Sequence, residues 1–163
     1  MNISQGTLIA ELGKSVKLDY ILKVEGKVKD TSIESEAKSA GIYQDYRQYE
    51  PMSVTLGKGH VIPGFEKNVI GMKPGEEKTF SVPPLEAYGE RHLDNIKRYP
   101  RELFEKQGIE LEIGSTLIIN TSEGRLFGFV QELSEEDVTL DMNHELAGKT
   151  LTFTVSLKEI NSL

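Results

Sequence analysis

The stretch of residues 57–66, GKGHVIPGFE, decides the fold of this chain because it contains the change from a strand to a helix. Before it, apolar and polar residues alternate over residues 52–56, which predicts a strand that ends at the glycines. Within it, Pro63 opens a helical segment in which Phe65 and Val69 lie four positions apart, on one face. The glycine pair is too closely spaced for a phosphate-cradling loop, so we interpret it as the turn between strand and helix.

The sequence on either side of this stretch predicts further strands. Residues 73–76, KPGE, place proline and glycine in the central positions of a type II turn, and alternation over residues 80–82 predicts a strand after it. Residues 16–24 and 151–158 alternate in the same way and predict two more half-buried strands. Residues 31–51 are polar and tyrosine-rich without a clean period, so we interpret them as a long loop with room for a helical turn.

The middle of the chain has a different texture. A charged run over residues 90–101 leads to residues 100–104, PRELF, which predict a short helix with proline at its first turn. Residues 116–120, 126–131 and 138–142 then predict three short strands of a compact β-rich unit. The chain is therefore expected to leave one β-rich lobe, form a second one, and return.

Composition and charge narrow the classes of function. The chain has 163 residues, with 26 acidic and 19 basic side chains and a formal charge of -7, which disfavours nucleic acid and anionic membranes as partners. It has no cysteine, which excludes disulfides and thiolate ligands. The N-terminal sequence does not resemble a secretion signal, and no apolar run approaches the roughly 18 residues that span a bilayer. We expect a soluble cytoplasmic protein.

Conventional catalytic constellations are sparse. The three histidines, His60, His92 and His144, are scattered and do not have metal-ligand spacing. No serine lies in a nucleophile elbow. We therefore expect neither a metal site nor a cofactor.

Five local motifs together resemble the FKBP family, in particular its SlyD-like and short archaeal members. Their order and spacing both match the family from about Lys14 onward. The motifs are Val28-Lys29-Asp30-Thr31, residues 57–66, Gly71-Met72-Lys73-Pro74-Gly75-Glu76, Pro83-Pro84-Leu85-Glu86-Ala87-Tyr88-Gly89, and Asn143-His144-Glu145-Leu146-Ala147-Gly148-Lys149.

The resemblance implies an α+β fold, with a twisted antiparallel β-sheet wrapped on a short helix and an inserted small β-rich lobe. It implies a discontinuous isomerase domain, residues 1–88 plus 143–163, and an insert-in-flap chaperone domain, residues 89–142. The implied activity is peptidyl-prolyl cis/trans isomerisation without a cofactor.

The resemblance also implies a proline pocket of eight side chains. Those with catalytic roles are Tyr20, Asp30, Ile62, Tyr88 and Phe153, and those that bind substrate are Met52, Val61 and Phe65. The Ile62 N–H and the Tyr88 hydroxyl are expected to hold carbonyl groups of the peptide, and Asp30 to fix the pocket by hydrogen bonds. Taken from the residues alone, the aromatic side chains on strands and helix would be core residues, Asp30 a turn residue and Tyr88 a loop aromatic.

Such a pocket suits the chemistry. Peptide-bond resonance creates a rotation barrier of about 18–20 kcal/mol, and the twisted amide is less charge-separated than the planar one. A dry apolar cavity therefore favours the twisted state, and no proton transfer is needed. X-Pro bonds are the natural substrate because their cis form is populated but interconverts slowly.

Apolar side chains of the middle segment exceed what so small a unit easily hides. They are Leu103, Phe104, Ile118, Leu126, Phe127, Phe129 and Val130. We expect this lobe to capture unfolded segments. The alternatives are a merely decorative insertion, a holdase with a vestigial pocket, and a binding module for one proline motif.

The expected partners are unfolded or partly folded polypeptides that contain X-Pro bonds, and the resemblance adds macrolide inhibitors. Neither nucleic acid nor membrane is expected, and we expect a monomer. Lys29 stands where the family often has an aromatic or other apolar residue, so that wall would be open or formed in part by the lysine stem. Met52 stands where an aromatic residue is common, which would give a softer wall. Tyr43, Tyr46 and Tyr49 are interpreted as packing of the 31–51 loop. The histidine-rich tail of nickel-binding relatives is absent, so nickel binding is not expected.

Overall fold

The computed structural model describes residues 8–161, apart from the side chain of Thr121. The interpretation that the chain lacks a secretion signal depends partly on residues 1–7, which lie outside the described residues. The chain divides into two compact units. The first comprises the described residues up to Gly89 and from Gly148 onward, and the second is Glu90–Ala147, which extends five residues beyond the expected limit at Met142.

The first unit is built on an antiparallel sheet. Its strands and helices are β1 (Ser15–Val24), β2 (Lys27–Thr31), α1 (Glu34–Ala40), β3 (Met52–Thr55), α2 (Pro63–Val69), β4 (Glu77–Val82) and β9 (Leu151–Asn161). The strand order is β2-β1-β9-β4, and β3 pairs with the first half of β1. The returning strand β9 therefore lies at the centre of the sheet, between β1 and β4.

Strand β1 confirms the predicted alternation. Val16, Leu18, Tyr20, Leu22 and Val24 are all buried, and the residues between them are exposed or partly exposed. Because side chains on directly paired residues share a face, the register places Leu22 beside Phe153 of β9, which in turn pairs with Phe80 of β4. These inward side chains form the wall on which α2 packs through Phe65 and Val69.

Helix α2 begins where the sequence predicts it, and one glycine sets its distance from the sheet. Pro63 occupies its first turn, after Ile62 in extended conformation. A Cβ added to Gly64 would overlap the Cγ1 atom of Val82 and lie 3.1 Å from the Cβ and carbonyl oxygen of Glu86. Glycine is therefore required here for close approach, not for an unusual backbone conformation.

The turns of the first unit also follow the sequence. At the predicted type II turn, Gly75 has a φ of 90° and the Glu76 N–H donates to the Lys73 oxygen at 3.0 Å. The long segment after β2 contains α1, a helix of seven residues in which Ala37 alone is buried. Because only one of its positions is buried, this helix has no hydrophobic period in the sequence, and the sequence therefore predicts no more than a helical turn in this segment.

The second unit is a four-stranded antiparallel sheet with one short helix. Its elements are β5 (Ile96–Pro100), α3 (Glu102–Glu105), β6 (Thr116–Thr121), β7 (Gly124–Leu133) and β8 (Asp137–Asp141), in the strand order β5-β8-β7-β6. The three predicted strands are present, and β5 is an additional one. The predicted short helix is present as α3, but the prediction that Pro100 lies in its first turn is wrong, because Pro100 is the last residue of the edge strand β5. Proline is tolerated at this position since an edge strand does not need every N–H.

The two faces of this second sheet differ. Leu117, Val130, Val138 and Leu140 are buried and, with Phe104 of α3, form a small core. Phe104 and Val130 are therefore core residues and do not belong to the apolar side chains that this unit leaves exposed. On the opposite face, Ile118 pairs directly with Phe127, and Phe129 lies two residues farther along β7. These last three side chains are 46–58% exposed.

Among residues 8–161, no helix is both long and apolar enough to cross a bilayer. The cytoplasmic location stays a prediction.

Candidate active site

All eight side chains that the resemblance assigned to a proline pocket line a single cavity in the first unit. Its volume is about 420 Å³, and Leu22, Gly59 and His60 complete the lining. The residues come from strands β1, β2, β3 and β9, from the turn before α2, from α2 itself and from the segment after β4. Parts of the chain more than 130 positions apart therefore meet at one surface.

An aromatic cluster forms the apolar floor of the cavity. The rings of Phe65 and Phe153 meet edge to face, with centroids 4.9 Å apart and planes inclined by 75°. Phe80 supports both from below, at 5.8 Å from Phe153 and 6.0 Å from Phe65. Each such pair contributes about 0.5–1.5 kcal/mol beyond its buried area. The floor is therefore apolar, and its rings are held by contacts with one another.

One side of the cavity is polar, and three side chains form a closed hydrogen-bonded triangle there. The Tyr20 hydroxyl donates to Oδ2 of Asp30 at 2.7 Å. Arg47 donates from Nη1 to Oδ1 of Asp30 at 2.8 Å and from Nη2 to the Tyr20 hydroxyl oxygen at 3.3 Å. The Thr31 N–H also donates to Asp30 Oδ1, at 2.8 Å. Both carboxylate oxygens of Asp30 are thus held in place.

The triangle changes the acidity of its members. Burial, followed by the hydrogen bond to the Asp30 carboxylate, raises the pKa of Tyr20 from 10.0 to about 12. The hydrogen bond to Asp30 raises the pKa of Arg47 further above its already high value. The phenol and the guanidinium therefore act in the triangle as hydrogen-bond donors.

Two buried hydroxyl groups hold the backbone of Tyr20. The Thr31 hydroxyl donates to the Tyr20 carbonyl oxygen at 2.7 Å, and the Tyr20 N–H donates to the Ser32 hydroxyl oxygen at 2.9 Å. Ser32 in turn donates to Oδ1 of Asp19 at 2.8 Å. Asp30, Thr31 and Ser32 are consecutive, so three neighbouring residues fix the hydroxyl, the carbonyl and the amide of a single tyrosine.

The residues around the start of α2 and the segment after β4 complete the lining of the cavity. Ile62 has extended backbone geometry, and none of the hydrogen bonds among the described residues uses its N–H. Tyr88 follows the 3-10 turn Pro84–Glu86 and is 41% exposed. Met52, the first residue of β3, and Val61 add apolar walls that are only partly buried. The Ile62 N–H and the Tyr88 side chain thus lie at the same cavity as the apolar floor.

Sequence reasoning missed five residues of this site. Leu22 and Phe80 could have been found from the strand registers, since each is paired directly with Phe153 on a neighbouring strand. Gly59 and His60 belong to the quoted motif but were interpreted only as a turn and a scattered histidine. Arg47 lies in the stretch interpreted as a loop, 17 positions from Asp30, and no local pattern in the sequence marks it.

Among residues 8–161, no group of three or more His, Cys, Asp or Glu side chains has the geometry to hold a metal ion. The expectation of an isomerase without a cofactor stays a prediction.

Comparison with known proteins identifies the family of the chain. The sequence model of the FKBP-type peptidyl-prolyl cis-trans isomerase family matches residues 6–158. A short-type peptidyl-prolyl cis-trans isomerase of Methanocaldococcus jannaschii is 43% identical over 148 residues, which covers 91% of this chain and 92% of that protein. A probable FKBP-type 16 kDa isomerase of Pseudomonas fluorescens is 36% identical over 69% of this chain and 75% of its own length. The isomerase SlyD of Vibrio cholerae is 34% identical over 69% of this chain and 55% of its own. The chain therefore belongs to the family of FKBP-type peptidyl-prolyl cis-trans isomerases.

Proposed function

We propose that the cavity of the first unit is where this isomerase binds and turns X-Pro bonds. The prolyl ring enters over Phe65 and Phe153, with Met52 and Val61 as side walls. The Ile62 N–H and the Tyr88 hydroxyl donate to carbonyl groups of the peptide. Asp30 and Tyr20 form the polar side that faces the twisting amide. The observation that supports this most directly is the convergence of all eight side chains on one cavity of about 420 Å³.

The apolar floor and the polar side around Asp30 have separate roles in this proposal. The planar amide is stabilised by water because its resonance separates charge, and the aromatic floor withdraws that water. Hydrogen bonds that are already in place around Asp30 require no reorganisation when the bond twists, so they act in the transition state at little cost. Rate enhancement arises in this proposal from environment and orientation alone.

The site is tested with a protease-free isomerisation assay on a tetrapeptide that contains one X-Pro bond. Asp30→Ala leaves Tyr20 and Arg47 without their common partner, and we expect kcat/KM to fall about tenfold, or ~1.4 kcal/mol. Tyr88→Phe should give a smaller loss because one donor is removed. The control is Tyr46→Phe, since Tyr46 is 81% exposed and does not line the cavity. Unchanged kinetics in both site variants would instead favour a holdase with a vestigial pocket.

The second unit, Glu90–Ala147, is a chaperone lobe in this proposal, with the isomerase domain formed by the rest of the chain. Its support is the outward face of the second sheet, where Ile118, Phe127 and Phe129 form an exposed apolar patch opposite the core. Exposed contiguous apolar surface of this kind marks interaction sites more often than scattered single residues do. Unfolded client segments bound here remain tethered to the isomerase domain, which raises the effective concentration of their prolines.

The lobe is tested in the full-length chain with Phe127→Thr and Phe129→Thr combined. Refolding of a proline-limited protein should slow markedly, while isomerisation of the tetrapeptide stays at the wild-type rate. The matched control is Leu103→Thr, because Leu103 is 50% exposed but lies on α3, whose Phe104 packs into the core on the other side of the sheet. Equal refolding rates for all three proteins would show that the insertion is decorative.

A deletion complements the point variants. The Gly148 N–H donates to the Gly89 oxygen at 2.7 Å, so the two ends of the first unit are adjacent, and a short link can close it without residues 90–147.

The preferred residue before proline, macrolide binding and the monomeric state stay predictions. A proline-motif module would accept only one peptide of a panel that varies this residue, whereas an isomerase with an apolar cavity should accept most of them.

A further inference from the structure

A row of stacked side chains leads from helix α1 to the polar side of the cavity. Nζ of Lys38 lies 4.8 Å from the centre of the Tyr43 ring. Tyr43 stacks on Tyr49, with ring centroids 5.5 Å apart and planes inclined by 18°. The guanidinium carbon of Arg47 lies 4.9 Å from the centre of the Tyr49 ring. The row ends at the carboxylate of Asp30, to which Arg47 donates.

The backbone around Arg47 provides little order by itself. Residues 43–51 lie outside regular helix and strand, and the backbone–backbone bond found within this segment runs from the Arg47 N–H to the Gln44 oxygen at 3.1 Å. The Arg47 side chain is 33% exposed, and a long arginine side chain loses considerable conformational entropy when it is fixed. An aromatic face restricts the guanidinium plane, since arginine stacks on rings while its N–H groups remain free to donate.

Tyr49 is itself fixed on two sides. Its hydroxyl oxygen accepts a hydrogen bond from the Gln44 N–H at 3.1 Å, and its ring is covered by Tyr43. Tyr46, in the same segment, is 81% exposed and takes no part in the stack. Two of the three tyrosines therefore do more than fill the loop, and they are arranged toward the cavity.

We infer that Tyr49 is a positioning residue of the isomerase, which holds the Arg47 guanidinium in the plane where it bridges Asp30 and the Tyr20 hydroxyl. This inference rests on the proposed function of the cavity. Without the ring, Arg47 reaches other rotamers, and the Asp30 carboxylate loses one of its fixed partners. The apolar floor is unaffected, so peptide binding persists and the turnover step is impaired.

The test is a double-mutant cycle in the full-length protein, measured with the tetrapeptide assay. Tyr49→Leu should lower kcat about two- to five-fold with little change in KM, which corresponds to the loss of one exposed cation–π contact. Tyr49→Phe loses the hydrogen bond from the Gln44 N–H but keeps the ring that stacks on Arg47, so its kcat should lie much closer to the wild-type value than that of Tyr49→Leu. Arg47→Met should lower kcat more strongly, and Tyr49→Leu added to it should cause no further loss, because its effect passes through Arg47. Tyr46→Leu is the matched control and should behave as wild type.

A second readout distinguishes this inference from the proposed function. In wild type and in Tyr49→Phe, the NMR signals of the Arg47 side-chain N–H groups should be sharp, and their protons should exchange slowly with water. In Tyr49→Leu, the signals should be broad and the exchange fast. If the wild-type protein did not isomerise the peptide but showed this pattern, the proposed function would fail and the positioning of Arg47 would stand. Identical Arg47 signals in Tyr49→Leu and wild type, or additive losses in the cycle, would overturn the inference.

Discussion

Replacing Gly64 by alanine should destabilise the first unit, although the same substitution in most helices has the opposite effect. Gly64 lies in the first turn of α2 at an ordinary helical φ. Alanine is normally favoured over glycine in a helix by about 1 kcal/mol. Helix propensity therefore predicts a more stable variant, and only a specific steric conflict can reverse the sign.

The structure supplies that conflict. The new Cβ would overlap Cγ1 of Val82, which is fully buried in β4, and would also press on the backbone oxygen of Glu86 at 3.1 Å. Neither neighbour is the end of a flexible side chain, so the helix must move away from the sheet. Overpacking of a well-packed core costs about 1–3 kcal/mol. Because the overlap with Val82 is closer than real Cβ contacts come, the upper part of this range applies, about 2–3 kcal/mol. After the propensity gain of about 1 kcal/mol is subtracted, we expect a net loss of about 1–2 kcal/mol.

Urea unfolding measures this loss. With a slope of about 2 kcal/mol per molar, the midpoint should fall by roughly 0.5–1 M. Tyrosine fluorescence reports mainly on the first unit, because Tyr99 is the tyrosine of the second unit and the others belong to the first. Activity should fall as well, since α2 carries Phe65 and follows Ile62 at the cavity. A Gly64→Ala protein more stable than wild type would refute the reasoning.

Gly128→Ala is the matched control for this substitution. Its Cβ would meet Cδ1 of Leu140 at 3.3 Å, which is a mild conflict with the end of a flexible side chain in the other unit. The fluorescence transition of the first unit and the tetrapeptide assay should both remain at wild-type values. A loss of activity equal to that of Gly64→Ala would mean that the effect does not come from the packing of α2.

Two further predictions concern pH. A difference titration of wild type against Tyr20→Phe should show one phenolate that forms at about pH 12, because burial and the Asp30 hydrogen bond raise the pKa of Tyr20 from 10.0. Its contribution to stability is then complete below pH 10.0 and is lost as the pH rises through about 12; formation near 10.0 would contradict the closed triangle. In the second unit, burial opposes ionisation of Asp141, but hydrogen bonds from Asn143 and Arg91 outweigh it and lower the pKa below 3.8. The contribution of Asp141 to stability is present above pH 3.8 and is lost as the pH falls through the lowered pKa. Asp141→Asn should therefore make the stability of this unit depend less on pH at the acid side. Amide NMR signals of the unit, followed against pH, measure this. A curve with the wild-type slope would show that Asp141 is not held by these bonds.

The sequence predicts elements well where one face is buried and poorly where neither is. Strand β1 buries every second residue, so its alternation is complete and its prediction is confirmed. Strand β5 is an edge strand whose residues are exposed or only partly buried, and its charged residues and final proline resemble a loop. Without a buried face there is no hydrophobic period to detect. The same reason explains why α1, with a single buried alanine, was not identified as a helix.

At the site, the residue patterns predict core side chains where the resemblance predicts pocket side chains. Tyr20 and Phe153 are 9% and 7% exposed, as core residues would be, and both line the cavity. The two interpretations are compatible because the wall of an apolar cavity is also part of the core. Arg47 could not be found in either way, since its role depends on the path of an irregular segment that brings it back to Asp30.

The buried hydroxyl groups beside Tyr20 indicate what this part of the sequence is adapted to. Thr31 and Ser32 are almost completely buried, and a buried hydroxyl contributes little net stability compared with an apolar side chain of similar shape. Their hydrogen bonds go to the two backbone groups of Tyr20, while Asp30 takes its hydroxyl. Apolar residues at these two positions would remove the acceptor of the Tyr20 N–H and one donor to its carbonyl, and a buried group left without its partner is costly. Asp30, Thr31 and Ser32 therefore fix one residue, Tyr20, at its hydroxyl, carbonyl and amide, and this residue lines the polar side of the cavity next to the aromatic floor.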